Sequence, residues 1–259
     1  MNKSNYALIT GASSGIGFEC SKYLAKKGYN LIIIARNKQK LKEMKSHLEK
    51  IYDIECIIII SDLTQKNAPS KIISYISKER LRIEVAILNA GFGDFAEFKH
   101  SMLSRQIEMI DLNITSLVEL THHLIPNLEQ NKGYLLHVAS VAAFQPLPYF
   151  ANYSATKAYV LSFSQALRVE LKGKVKVSTL CPGPTKTQFF KTAHAEQMIE
   201  NDSNTMSAKD VAQIGIDSLF KNKALIIPGS SNKLMTFVSG FFSKSMQSTL
   251  GGKLLKPKK

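Results

Sequence analysis

The sequence predicts an α/β fold: a doubly wound parallel sheet of about seven strands, helices on both faces, in a single domain. Three observations carry this. Short apolar runs alternate with amphipathic stretches of helical length along most of the 259 residues. Parallel strands need helix-length crossovers, so such alternation means a sheet covered on both faces. The first apolar run breaks into a glycine-rich turn, Thr10-Gly11-Ala12-Ser13-Ser14-Gly15-Ile16-Gly17, and a helix pattern follows it. A hydrophobic fraction of 44% supplies one sizeable core, at a length that suits one α/β domain.

Tyr6 to Thr10 reads as the buried first strand. Glycines at its exit allow a tight turn and let backbone N–H groups approach a pyrophosphate at the helix N-terminus. The helix pattern then runs to about Lys27. Leu31 to Ala35 is the second strand, with Arg36-Asn37-Lys38 at its end. An acidic residue here, about 20 residues past the glycines, would take a ribose 2′-hydroxyl. None is present. Arg36 instead offers a fork of donors suited to a 2′-phosphate, with Ser13, Asn37 and Lys38 placed to assist. NADP(H) is therefore expected over NAD(H).

Lys38 to Tyr52 is an amphipathic helix with Leu41, Met44 and Leu48 on one side. Ile57 to Ile60 is too continuously apolar for a half-exposed strand and predicts a central one. Asp62-Leu63 follows at a strand end, where Asp62 suits an adenine amine. Pro69 to Glu79 is a helix. Val85 to Leu88 is a strand ending in Asn89-Ala90-Gly91, and Gly91 and Gly93 leave room for a cofactor ribose. Leu103 to Leu128 reads as one long helix, bent near its middle, with the polar Asn113 in an apolar stretch. Tyr134 to Val138 is a strand, Asn152 to Leu171 a helix, Lys176 to Cys181 a strand, and Pro182 to Thr187 a turn. Gln188 to Thr205 is polar and irregular around Phe189-Phe190, and predicts a mobile substrate lid over about residues 185–206. Ser207 and Asp210 form a capping-box pattern before a helix to about Lys221. Ala224 to Ile227 closes the domain near residue 229. Residues 230–259 hold one amphipathic helix, Lys233 to Met246, and a basic tail from Lys253. A packed helix, a docking face for a partner subunit and a membrane-surface contact are all open readings of this segment.

The chemistry concentrates between Ser140 and Lys157. Tyr153 and Lys157 are four apart, so on a helix they share a face. Ser140 sits where the preceding strand should end, and ligands of open parallel sheets bind at the carboxyl ends of strands. A phenol titrates near pH 10, and a nearby cation lowers that value. Lys157 is placed to do this to Tyr153, and Ser140 to hydrogen-bond a substrate oxygen as charge develops on it. The trio suits proton transfer to a carbonyl.

Composition excludes other classes. Cys20, Cys56 and Cys181 are scattered, without metal-ligand spacing or a disulfide framework, so no metal and a reducing, cytoplasmic setting are expected. The N-terminus lacks a signal-peptide apolar region, and no run approaches the ~20 apolar residues of a membrane span. The formal net charge is +14, but the lysines are spread along helices without stacking aromatics, so no nucleic-acid partner is expected.

Together these residues are similar to the short-chain dehydrogenase/reductases of the compact, Rossmann-like type, over nearly the whole chain. The resemblance rests on Thr10-Gly11-x-x-x-Gly15-x-Gly17, Asp62, Asn89-Ala90-Gly91, Asn113, Ser140, Tyr153-x-x-x-Lys157 and Pro182-Gly183. It implies a tetrad of Asn113, Ser140, Tyr153 and Lys157. Tyr153 would be the acid in reduction and the base in oxidation. Lys157 would lower its pKa and hold the nicotinamide ribose, and Ser140 would polarise the carbonyl. Asn113 would hold a water in a proton relay. The cofactor would be lined by Gly11, Ser13, Ser14, Gly15, Ile16, Gly17, Arg36, Asp62, Leu63, Asn89, Ala90, Gly91, Pro182, Gly183, Thr185 and Thr187. The resemblance also implies a homodimer or homotetramer formed through the 103–128 and 152–171 helices. The opening residues look similar to an NADP-dependent bacterial branch that includes relatives of 3-ketoacyl and hydroxysteroid reductases. The expected function is NADP(H)-dependent reduction of a ketone, or oxidation of a secondary alcohol. Phe92, Phe95, Phe144, Tyr149, Phe150, Phe189 and Phe190 suggest an apolar or 3-oxoacyl-type substrate. The alternative is a non-catalytic NADP(H) sensor or scaffold on the same fold.

Overall fold

The computed structural model describes residues 5–196, 199 and 205–255. Its strands are β1 (Asn5–Thr10), β2 (Asn30–Ala35), β3 (Cys56–Ile60), β4 (Arg82–Leu88), β5 (Tyr134–Val138), β6 (Lys176–Leu180), β7 (Thr185–Lys186), β8 (Met206–Ser207) and β9 (Leu225–Ile226). Seven form one sheet in the order β3-β2-β1-β4-β5-β6-β9, and every pairing within it is parallel. The order reverses between β1 and β4, which opens a crevice at the carboxyl ends of those strands. β7 and β8 pair with each other in a small separate sheet that the sequence did not signal.

Alternation along β1 and β2 sorts the core into two layers. Ala7, Ile9, Leu31 and Ile33 face α1 (Gly15–Lys26), α2 (Lys38–Tyr52) and, further along the sheet, a helix given below as α8. Leu8, Ile32 and Ile34 face α3 (Ala68–Lys78) and the helices that follow β4 and β5. Those are α5 (Ser116–Gln130) and α6 (Ala151–Glu170), while α4 (Leu103–Ile110), which leads toward α5, gives Met109 to a separate cluster. α7 (Phe189–Thr192) and α8 (Ala208–Phe220) come next, and α9 (Ser230–Ser239) and α10 (Lys244–Leu255) end the described chain.

Four expectations change in detail. β3 lies at the sheet edge, not its centre. Its isoleucines are apolar because Ile57 and Ile59 pack under one helical layer and Ile58 under the other. Both faces are only partly covered, and Ile60 is 49% exposed, so the continuous apolar run marks neither a central nor a fully buried strand. The expected long helix is two, α4 and α5, joined by a π-helical turn over Asp111–Thr115 that supplies the bend and carries Asn113. The single terminal helix is also two, because the chain breaks between Ser239 and Lys244; Lys253 lies in the second helix rather than in a frayed tail. The described part of the lid segment is packed: α7 buries Phe190, and Ala193 and Ala195 are fully buried. Residues 197, 198 and 200–204 of the expected lid, and 256–259 of the expected tail, lie outside the described residues. At α8, Ser207 accepts from the Asp210 N–H at 3.0 Å, and its own hydroxyl donates to the Asp210 carboxylate at 2.7 Å. Among the described residues no helix is long and apolar enough to cross a membrane.

Candidate active site

The crevice encloses about 610 Å³ at the strand ends. At its β1 side, Gly11 and Gly15 hold φ of 66° and 55°, a region that favours glycine. Gly17 lies beneath this loop rather than in the crevice: a Cβ there would strike the Gly11 carbonyl and come within 2.6 Å of Asn89 Nδ2. Asn89 braces the loop, its Nδ2 donating to the carbonyls of Thr10 at 3.0 Å and Gly11 at 3.4 Å. The Thr10 hydroxyl in turn accepts from the N–H groups of Asn89 and Ala90, both at 3.0 Å. Ser14 is the N-cap of α1 with no side-chain capping bond, and Ser13, Ser14, Gly15 and Ile16 line the crevice.

At the β2 end Arg36 is largely exposed and reaches to 3.9 Å from the Asp62 carboxylate. Asp62 also accepts from the Thr64 N–H at 3.1 Å and hydroxyl at 2.9 Å, beside Leu63 in the wall. Asn37 is a helix cap, accepting from the Lys40 N–H at 3.0 Å. Lys40, not Lys38, reaches the crevice. The sequence gives no sign of this, because Lys40 falls in the first turn of a helix whose lysines all look solvated.

At the β4–β6 end Tyr153, Lys157 and Ser140 converge on the same crevice. β5 delivers Ser140, which caps a short 3-10 turn by accepting from the Ala142 N–H at 3.1 Å. α6 delivers the other two. Lys157 is 5% exposed and donates to the Val138 carbonyl at 2.9 Å. Its Nζ lies 5.8 Å from the centre of the Tyr153 ring. Ala90 and Gly91 complete the floor; a Cβ on Gly91 would meet Asn113 Oδ1 at 2.9 Å and Lys157 Nζ at 3.3 Å. Asn113 therefore stands behind Gly91, outside the lining. Its Nδ2 donates to the Phe92 carbonyl and to Thr156 Oγ1, each at 3.0 Å, and its Oδ1 accepts from the Phe92 N–H at 3.1 Å.

Electrostatics alter one expectation. Burial pushes the Tyr153 phenol up to about 12, although a hydrogen bond with Ser140 works the other way. Burial pulls the Lys157 ammonium down to about 8. The spacing predicts that Lys157 dominates Tyr153 and lowers it. Desolvation of the phenolate wins instead. At neutral pH the phenol is thus firmly protonated, the form a proton donor needs.

Pro182, Gly183, Thr185 and Thr187 line the remaining wall. Thr185 donates its hydroxyl to the Gly183 carbonyl at 2.8 Å, and the Thr187 methyl packs over Gly15. Phe92, Phe150, Phe189 and Phe190 face the crevice, with Phe95 and Tyr149 behind them in one aromatic cluster. Phe144 does not join them; it packs against the main core. Arg105 is a site residue that the sequence does not disclose. It lies in the crevice wall, 5.0 Å above the Phe92 ring, paired with Asp94 at 2.8 Å and bonded to the Thr192 carbonyl. A lone arginine on an amphipathic helix carries no sequence signal of such a place.

A family model for short chain dehydrogenases matches residues 5–198. The chain belongs to the short-chain dehydrogenase family. It is an oxidoreductase of that family, acting on CH–OH and C=O groups. Serine 3-dehydrogenase from Agrobacterium fabrum is 32% identical over 216 residues, covering 81% of this chain and 85% of the relative. Very-long-chain 3-oxoacyl-CoA reductase from Anas platyrhynchos is 33% identical over 192 residues, 72% of this chain but 61% of the relative. A short-chain dehydrogenase from Sphingobium yanoikuyae, solved with NADPH, superposes with a TM-score of 0.81 at 25% identity, over 93% of this chain and 97% of that one.

Proposed function

We propose that this short-chain dehydrogenase is an NADP(H)-dependent carbonyl reductase, reversible to a secondary alcohol dehydrogenase, on an apolar ketone or 3-oxoacyl-type substrate. The observation that carries the reading is the meeting of Tyr153, Lys157 and Ser140 in a crevice floored by the glycine loop. The residues present fit a dinucleotide. Side chains at Gly11 or Gly91 would crowd the floor, and the α1 N-terminus offers N–H groups to a pyrophosphate. Arg36 and Lys40 supply positive charge where a 2′-phosphate would lie, and no acidic residue stands at the β2 end to select a 2′-hydroxyl. Asp62 and Leu63 suit the adenine end, and Thr185 and Thr187 the nicotinamide end.

The bound cofactor supplies a hydride to the carbonyl carbon. This chain does the rest. Ser140 hydrogen-bonds the carbonyl oxygen and orients it toward Tyr153. The Tyr153 hydroxyl gives that oxygen its proton as the new C–H bond forms, leaving an alcohol. Lys157 lies close enough to stabilise the phenolate left behind and to hold ribose hydroxyls. Asn113, fastened to Phe92 and Thr156, positions the floor beside Lys157 and has acceptor capacity left for a water. Phe150, Phe189 and Phe190 exclude water from the reacting carbonyl and favour an aliphatic substrate. Exposed Ile107, Tyr159 and Val169 on α4 and α6 support pairing of two copies through those helices.

The test is a spectrophotometric screen of ketones, 3-oxoacyl thioesters and quinones with NADPH and with NADH. Steady NADPH oxidation by an apolar carbonyl is expected. Tighter binding of NADH would overturn the role given to Arg36, and no turnover across the panel would overturn the reductase reading.

A further inference from the structure

Helix α9 is built inside out for a helix facing water. Its polar residues Asn232, Thr236 and Ser239 are buried. Its apolar residues point outward: Leu234 is 64% exposed, Phe237 68%, and Phe241 just beyond the helix 74%. The buried groups are satisfied locally. Asn232 Nδ2 donates to the Pro228 carbonyl at 2.8 Å, Thr236 Oγ1 to Lys233 O at 3.0 Å, and Ser239 Oγ to Thr236 O at 2.9 Å. α10 repeats the pattern. Gln247 is buried, its Nε2 donating to the carbonyls of Ser239 and Phe242, while Met246 and Leu250 are exposed. The Phe237 and Phe241 rings meet edge to face at 5.2 Å, so the outward side chains touch. Isolated exposed apolar residues need no explanation. A joined set, on a helix whose polar side is turned inward, points to a cover.

Charge identifies the cover. From Ser230 to Leu255, across α9 and α10, the sequence has no Asp or Glu, yet it holds Lys233, Lys244 and Lys253. A second copy of this face would bring like charges together with no carboxylate of the segment to match them. Lipid phosphates would match them. We propose that α9 and α10 dock this chain on an anionic lipid surface. Leu234, Phe237 and Phe241 enter the headgroup boundary, and the lysines engage phosphates around them. Leu255 of α10 packs in the aromatic cluster around Tyr153, and Gly251 and Gly252 lie against Pro148. Docking therefore brings the lipid surface beside the apolar end of the crevice.

The sequence contains no tryptophan, so Phe241→Trp creates a sole reporter. The full chain carrying it is mixed with vesicles of phosphatidylcholine alone, or of phosphatidylcholine and phosphatidylglycerol in equal parts. Its emission is expected to move to the blue with the anionic vesicles and the chain to sediment with them. Partitioning should be on the order of tenfold stronger than to neutral vesicles and should weaken with salt. Adding Leu234→Ser and Phe237→Ser should weaken it by on the order of a hundredfold. An unchanged melting temperature would show that these exposed changes spare the fold; if it drops, the reporter alone decides. No spectral change with either vesicle overturns the proposal. So does emission already blue without lipid together with a smaller apparent mass for the double variant, which would assign the face to a second copy.

Discussion

Replacing Lys157 with methionine should make this chain's stability respond to pH in a way that isolates one buried charge. Lys157 is 5% exposed and burial holds its ammonium near 8 instead of the ordinary 10.5. That gap amounts to about 3 kcal/mol. The sign follows from proton counting. Below pH 8 folded and unfolded chains both carry the ammonium, and the folded one bears the full penalty of burying it. Between about 8 and 10.5 the unfolded chain binds more protons than the folded one, so the parent gains stability as pH rises. The Lys157→Met chain has no such gain. Its lost donation to the Val138 carbonyl weighs equally at every pH. The buried phenols of Tyr6, Tyr29 and Tyr153 titrate higher and in both chains alike. Urea midpoints of both chains from pH 7 to 10.5 should therefore converge or cross, with the parent gaining on the order of 3 kcal/mol over Lys157→Met. Parallel curves would refute the buried-ammonium argument.

Further outcomes follow from the same contacts. Arg36→Ala should weaken NADPH binding by about ten- to a hundredfold, the worth of charge-assisted hydrogen bonds, while sparing NADH, as read by cofactor fluorescence titration. Gly17→Ala drives a methyl into the Gly11 carbonyl and Asn89 Nδ2, so chemical denaturation should show a loss of about 1–3 kcal/mol together with weakened dinucleotide binding. Asp94→Ala leaves Arg105 without its partner at 2.8 Å and frees the link to Thr192; thermal melting should fall, with KM rising more than kcat changes.

Much of this fold was legible because its signals are local. The strand runs at Leu31–Ala35 and Tyr134–Val138, the glycine turn and the amphipathic α2 each declare themselves within a few residues. Gathering Ser140 and Tyr153 was legible too, since strand end and following helix are joined by a short connection. Position across the sheet was not. The isoleucines of β3 look the same at a partly exposed edge as at the centre. The π turn at Asn113 depends on packing, not on periodicity. Long-range contacts were silent in the same way: Arg105 reaches Asp94 and the Thr192 carbonyl, and Asn232 fills the space that glycine leaves at 183. The ionisation of Tyr153 escapes a sequence argument because spacing reveals a neighbouring charge but not how dry both groups are.

The most direct test follows label rather than rate. NADPH carrying deuterium at the reactive nicotinamide carbon is incubated with the best carbonyl of the screen and either the parent chain or Tyr153→Phe. The account predicts deuterium on the carbinol carbon with the parent, and a loss of about three orders of magnitude in turnover for Tyr153→Phe at undiminished NADPH binding. Labelled alcohol formed by Tyr153→Phe at the parent's rate would contradict it.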